Sequence, residues 1–161
     1  MYHAIVRRRV RQVFGRANGG DWEAIVSGLA PRFVYRFVGD TPLGGVRTTH
    51  ASMRLWFERL YRMFPGATFA PQTVVVHGWP WQTTVMTYVT ITATVPEPGG
   101  GRRPYQNEFM QRMTLRWGRV TSVITLEDTQ RLAAAMPVLA AAGVGEATAA
   151  PIDDRAAAGR S

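Results

Sequence analysis

The sequence has no cysteine, so disulfide bridges, thiolate nucleophiles and cysteine-ligated metals are excluded. It has no lysine either, which removes Schiff-base chemistry and the phosphate-loop lysine; Gly44 and Gly45 therefore do not open a nucleotide loop. The three histidines, His3, His50 and His77, lie far apart without ligand spacing, and no metal site is expected. No apolar run approaches the ~18 residues of a membrane span, and the N-terminal segment lacks the apolar stretch of a signal peptide. The expectation is a cytoplasmic protein with no membrane partner.

What is present is arginine and apolar side chains. The 161 residues carry 19 basic groups, all arginine, against 11 acids, for a net charge of +8. Arginine in an alanine- and glycine-rich chain reads as compositional bias on surface positions, and the cluster Arg7 to Arg11 falls on the polar face of an amphipathic helix. No stacking-aromatic RNA motif accompanies it, so nucleic acid is not an expected partner. With 46% hydrophobic residues there is material for one core. A single domain over residues 1–142 is expected, followed by an alanine- and glycine-rich tail, 143–161, whose composition predicts disorder.

The apolar spacing predicts helices over Tyr2 to about Arg16, over a short segment after Asp21, and over Thr49 to Phe64, the last with Met53, Trp56, Phe57, Leu60 and Phe64 at intervals of three and four. A β-branched and aromatic strand, "PRFVYRFVGD", lies between the second and third. From Thr68 the period changes to two. Strands are expected at about Thr68 to Trp79, Gln82 to Val95, Tyr105 to Trp117 and Arg119 to Glu127, joined by short turns, with a last helix at about Thr129 to Ala142. This order describes an α+β fold, a strongly curved, mostly antiparallel sheet with helices on its concave face, enclosing an apolar cone suited to a small hydrophobic molecule.

The stretches "FVGDTPLGGVRTT", "WFERLYRMFPG", "VVVHGWPWQTTV", "YQNEF" and "RWGRVTSVITLEDTQ", in that order, resemble the NTF2-like superfamily, specifically its SnoaL-like polyketide cyclase and ketosteroid isomerase group, over about Asp21 to Met136. The resemblance implies a cone-shaped pocket, a homodimer through the sheet, and chemistry without a cofactor: cyclisation or isomerisation of a polyketide- or terpenoid-like substrate. Epoxide hydrolysis, epoxide-opening cyclisation and noncatalytic ligand binding are the alternatives within the same fold.

Such reactions need a carboxylate whose pKa is raised by desolvation. Sorting the acids leaves Asp40, Glu108, Glu127 and Asp128, the others falling in caps, loops, the tail or a solvated helix face. The resemblance places Asp40 where ketosteroid isomerases carry the proton-shuttling aspartate, and a turn-forming role in "GDTPLGG" is the alternative. In the strand from Tyr105, alternation groups Asn107, Phe109, Gln111, Met113, Leu115 and Trp117 on a pocket face, where Asn107 and Gln111 can orient a substrate oxygen. It groups Glu108 with Arg112 on the other; Glu108 becomes a second pocket acid only if a bulge shifts the register. Glu127 and Asp128 end the last strand, where capping the final helix accounts for at least one. Asp40, Asn107 and Glu108 are thus the catalytic candidates, and Trp22, Tyr35, His50, Trp56, Tyr88, Gln111 and Met113 the candidate substrate contacts.

Overall fold

The computed structural model describes residues 1–155. In chain order the elements are α1 (Tyr2–Asn18), α2 (Glu23–Gly28), β1 (Leu29–Phe37), β2 (Gly45–Arg47), α3 (His50–Met63), β3 (Thr68–Trp79), β4 (Gln82–Pro96), β5 (Arg102–Arg116), β6 (Arg119–Glu127) and α4 (Thr129–Ala141), with a 3-10 turn at Gly145–Thr148. The six strands form one sheet in the order β2-β1-β6-β5-β4-β3. Every pairing is antiparallel except that of β1 with β6.

The sheet bends where the ladder is interrupted. Registers shift between Leu29 and Val34 in β1, across Pro31, and between Pro71 and Thr73 in β3. Proline has no N–H to give a ladder, so these two breaks sit beside a residue that cannot donate, while a third, between Thr114 and Leu115 in β5, has no proline next to it. The bent sheet turns Phe33, Tyr35 and Phe37 of β1, and Val123 of β6, toward α3, whose Met53, Trp56, Phe57 and Leu60 complete the main core. Thr49 starts α3 by accepting a hydrogen bond from the Ser52 amide (3.1 Å). Helix α1 is tied across β3 at both ends: Tyr2 bonds Thr83 (2.5 Å), His3 bonds the Gly78 carbonyl (2.7 Å), and the Asn18 amide brackets the backbone of Phe69 (2.8 Å each way).

The loop 38–44 inserts Leu43, fully buried, into the core, and the Leu43 carbonyl accepts from Trp56 Nε1 (2.8 Å). A Cβ on Gly44 would overlap the Gly39 carbonyl, which is why the proline-turned chain closes on glycine here.

From Gly143 to Arg155 the chain follows a defined path where composition predicts disorder. Asp154 accepts hydrogen bonds from the amides of Thr48 (2.7 Å) and Thr49 (3.2 Å) and from the Ser52 hydroxyl (2.7 Å), at the start of α3. Its own amide donates to the Val46 carbonyl (2.8 Å). These polar anchors add to the packing of Val144, Ala147 and Ile152 on the main core. The rest of the expected tail, residues 156–161, lies outside the described residues.

Candidate active site

Between the concave face of the sheet and helices α1, α2 and α3 lies a cavity of about 1150 Å³. Its walls are apolar over most of their extent, and include Phe37, Leu43, Trp56, Phe109, Leu115 and Val120. Pockets for small organic molecules run to roughly 1,000 Å³, so a ligand of several fused rings fits.

Polar groups converge at the far end of β6. The β6 side chains Val123, Thr125 and Glu127 alternate inward, and all three line the cavity. The Glu127 carboxylate accepts from Asn107 Nδ2 (2.7 Å) and from the Tyr105 hydroxyl (3.3 Å). Asn107, only 3% exposed, also donates to the Tyr105 oxygen (2.7 Å) and to the Asp128 carbonyl (3.1 Å). Asn107 therefore fixes both neighbours. Burial is the dominant influence on Glu127 and lifts its carboxyl from the usual 4.5 to about 7. The bonds from Tyr105 and Asn107 oppose that rise, and the Asp128 charge adds to it. Burial, followed by the charge of Glu127, raises the Tyr105 hydroxyl well above the ordinary phenol value.

A second polar group lies deeper along β5 and β6. Gln111 Nε2 donates to Thr125 Oγ1 (2.8 Å), both residues are buried, and both adjoin Tyr35, whose hydroxyl is also pushed up by burial. Behind this wall sits Arg47, with no solvent exposure. Its Cζ lies 5.3 Å from the Trp56 ring and 5.5 Å from the Tyr35 ring. Its guanidinium donates to the carbonyls of Gly44 (2.8 Å), Gly45 (2.9 Å) and Ile152 (3.1 Å), while its Nε has no partner. Desolvation lowers the Arg47 pKa to about 10, which still leaves it charged at neutral pH.

Of the sequence candidates, Tyr35, Trp56, Gln111 and Met113 line this cavity, and Asn107 holds its carboxylate. Asp40 does not face it. Alternation in β1 buries Phe33, Tyr35 and Phe37 and turns Val34 and Arg36 outward; Asp40 lies past the end of the strand, in a bend, and is exposed. No bulge intervenes at Glu108, which stays in register opposite Thr90 and points away from the cavity. It is exposed and accepts from the Tyr88 hydroxyl (2.7 Å) rather than pairing with Arg112, so Tyr88 lies outside as well. Trp22 stacks on Phe57 (5.5 Å, 15°) behind the lining, and His50 sits edge-on to Phe33 (5.2 Å). Among the described residues no three ligating side chains gather as a metal site, and no helix is long and apolar enough to cross a membrane.

Glu127, retained among four acids but not chosen, and Tyr105 are the candidate residues that the sequence analysis did not select. The available signal was the division of labour at the end of β6. Asp128 caps α4 by accepting from the amides of Gln130 (3.1 Å) and Arg131 (3.2 Å), which leaves Glu127 on the inward parity of Val123 and Thr125.

Comparison with known proteins bears on the same architecture. No curated protein sequence matches the chain. Three solved structures resemble it at low identity, where the likeness is one of fold. PrhC from Penicillium brasilianum NBRC 6234 is 16% identical with a TM-score of 0.74, over 91% of this chain and 95% of that one. An NTF2-like protein from Burkholderia thailandensis E264 is 18% identical with a TM-score of 0.67, over 80% and 95%. IdmH, a proposed polyketide cyclase from Streptomyces antibioticus, is 20% identical with a TM-score of 0.62, over 82% and 98%. The model of the SnoaL-like domain matches residues 10–123, most of the chain, and with the curved sheet and its cavity this places the protein in the SnoaL-like family, on the NTF2-like fold.

Proposed function

We propose that the protein is a cofactor-independent acid/base enzyme, a cyclase or isomerase of a small hydrophobic polyketide- or terpenoid-like molecule, with Glu127 as the proton-transfer group. The observation that carries this reading is a single carboxylate lining an apolar cavity with its pKa near 7, where a group gives and takes protons with comparable ease. The Glu127 carboxylate removes a proton from a carbon next to a substrate carbonyl, and the electron pair moves onto the carbonyl oxygen. Gln111, Thr125 and Tyr35 offer hydrogen-bonding groups within the same wall to orient that oxygen. Protonated Glu127 then returns the proton, at a different carbon in an isomerisation or to the new alkoxide in a ring closure, so that no net proton is consumed. Asn107 and Tyr105 are positioning residues: they fix the carboxylate and keep it from rising further out of range.

Epoxide hydrolysis with two pocket acids is less well supported, because Glu127 is the one acid lining the cavity among the described residues. Asp40 and Glu108, exposed outside it, take no part in the proposed step.

The test is a carboxylate-resolved NMR titration of wild type and Glu127→Gln, followed by turnover on a panel of polyketide- and terpenoid-like ketones. A resonance near pH 7 that disappears in Glu127→Gln, together with lost turnover, supports the reading. Turnover that survives the replacement refutes it.

A further inference from the structure

The end of the cavity opposite Glu127 has a different chemistry. It is framed by Ile5 and Arg9 of α1, Ser27 of α2, and Trp117 and Arg119 at the β5–β6 turn, all of them exposed. The turn does not stand alone. The Trp117 amide donates to the Pro80 carbonyl (2.6 Å), joining it to the β3–β4 turn, while Tyr2 and His3 bring the start of α1 to the same tips through Thr83 and Gly78.

Three tryptophans gather there: Trp79, Trp81 and Trp117 are 64%, 53% and 71% exposed. Trp79 and Trp81 stack (5.9 Å, 9°), and Trp81 lies 6.4 Å from Trp117. Large aromatic rings left in water as a cluster mark a contact surface. Trp117 also holds φ at +51° in a two-residue turn with Gly118 at +77°, a conformation that favours asparagine or glycine and costs a bulky side chain. The surrounding charge is of one sign. The part of α1 nearest these tips carries Arg7, Arg8, Arg9 and Arg11 with no acid; β3 and its turn carry no acid; and the stretch from Arg112 to Ser122 carries Arg112, Arg116 and Arg119 with none.

We propose that this end of the molecule docks on an anionic lipid surface, the tryptophans at headgroup level and the arginines on lipid phosphates, so that an apolar substrate passes between the bilayer and the cavity. Tryptophan favours the membrane–water boundary because its ring is apolar and its N–H is not. Basic residues next to it add attraction to anionic headgroups. A lipid surface suits the site better than a single-stranded nucleic acid, because Trp117 lines the mouth of an apolar cavity and aliphatic Met1 and Ile5 are also exposed at the start of α1. The absence of a spanning run, which led to the expectation of no membrane partner, concerns helices that cross a bilayer and has no bearing on resting against one.

The full chain is tested by co-sedimentation with phosphatidylcholine vesicles with and without phosphatidylglycerol, with tryptophan emission as a second readout. Binding to the anionic vesicles, a blue shift of the emission, and loss of binding with added salt are the expected results. Trp81→Ser, outside the cavity lining, is expected to cut partitioning at least tenfold, and Arg8→Gln about fivefold. Trp117→Asn suits the turn and keeps the fold, which circular dichroism checks, so its reduced binding reports the lost ring. Absence of vesicle binding overturns the proposal, as does binding that survives Trp81→Ser. Preferential retention on single-stranded DNA, or a change of oligomer mass in Trp81→Ser, would assign the patch to another partner and overturn it equally. None of these results depends on Glu127, so failure here and failure of the acid/base reading are separate outcomes.

Discussion

Strands β1 and β6 run side by side in the same direction, with Phe37 beside Thr125, and each delivers a carboxylate just past that point. Glu127 follows Thr125 by two residues and keeps its inward parity. Asp40 follows Phe37 by three, beyond the end of β1, in a turn that passes through Gly39 at φ +128°. The two acids differ by a methylene in chemistry and by a wall of the protein in environment. One is desolvated, hydrogen-bonded and lifted to about 7; the other is exposed in a turn. Burial at the end of β6 is what lifts the Glu127 carboxyl, and the exposed turn after β1 supplies no such burial.

The largest expected effect separates the two directly. Glu127→Gln should lower turnover at least about 100-fold, within the range of general acid/base contributions, whereas Asp40→Asn should stay within about twofold. Steady-state kinetics of both variants on one substrate provides the check, and equal losses would break the contrast.

Next comes the dependence of stability on pH. The folded protein holds the Glu127 proton up to about pH 7, while the unfolded chain releases it near ~4.3. Between those values the folded state binds more protons, so this group favours folding at low pH and its contribution is lost as pH rises toward 7. The cost well above neutrality is at most about 4 kcal/mol. Glu127→Gln removes that dependence, so its Tm relative to wild type should climb from pH 4.5 to 7.5. A difference that stays flat across that window would mean that Glu127 is solvated.

A smaller effect is expected at Asn107. Asn107→Ala removes the short bond to Glu127 and leaves buried acceptors without a donor, which should cost about 1–3 kcal/mol in denaturant unfolding. It should also raise the Glu127 pKa further in the NMR titration, a shift that a purely structural asparagine would not produce. Smallest of all, Asp40→Ala should change stability by within about 0.5 kcal/mol, as for an exposed surface position.

The fold could be read far into its detail because apolar period is a local property. The expected limits of β3 and β6 coincide with the observed ones, and the change from helical to extended period falls at Thr68 in both. Alternation also separates the inward set of β5, from Asn107 to Leu115, from Glu108 and Arg112. The carboxylate was harder to find. A helix cap explains an acid after a strand, and with Glu127 and Asp128 adjacent the sequence does not say which does the capping. Arg47 was invisible for another reason. Its burial depends on carbonyls from residue 44 to residue 152, which composition cannot bring together. Likewise the alanine-rich stretch after Gly143 reads as tail until Asp153 and Asp154 find the amides of residues 46 to 49.

That last arrangement couples the final part of the described chain to the reaction chamber. Ile152 takes one of the hydrogen bonds of Arg47, the charges of Asp153 and Asp154 favour its charged form, and the guanidinium lies against the faces of Tyr35 and Trp56 that form the cavity wall. A chain shortened after Pro151 would give up all three acceptor groups at once. Arg47 would then be a buried charge with fewer partners, and its means of relief would be to draw water in behind the wall. The shape of the chamber is thus held from outside, by a short strap whose two adjacent aspartates reach across to the start of α3.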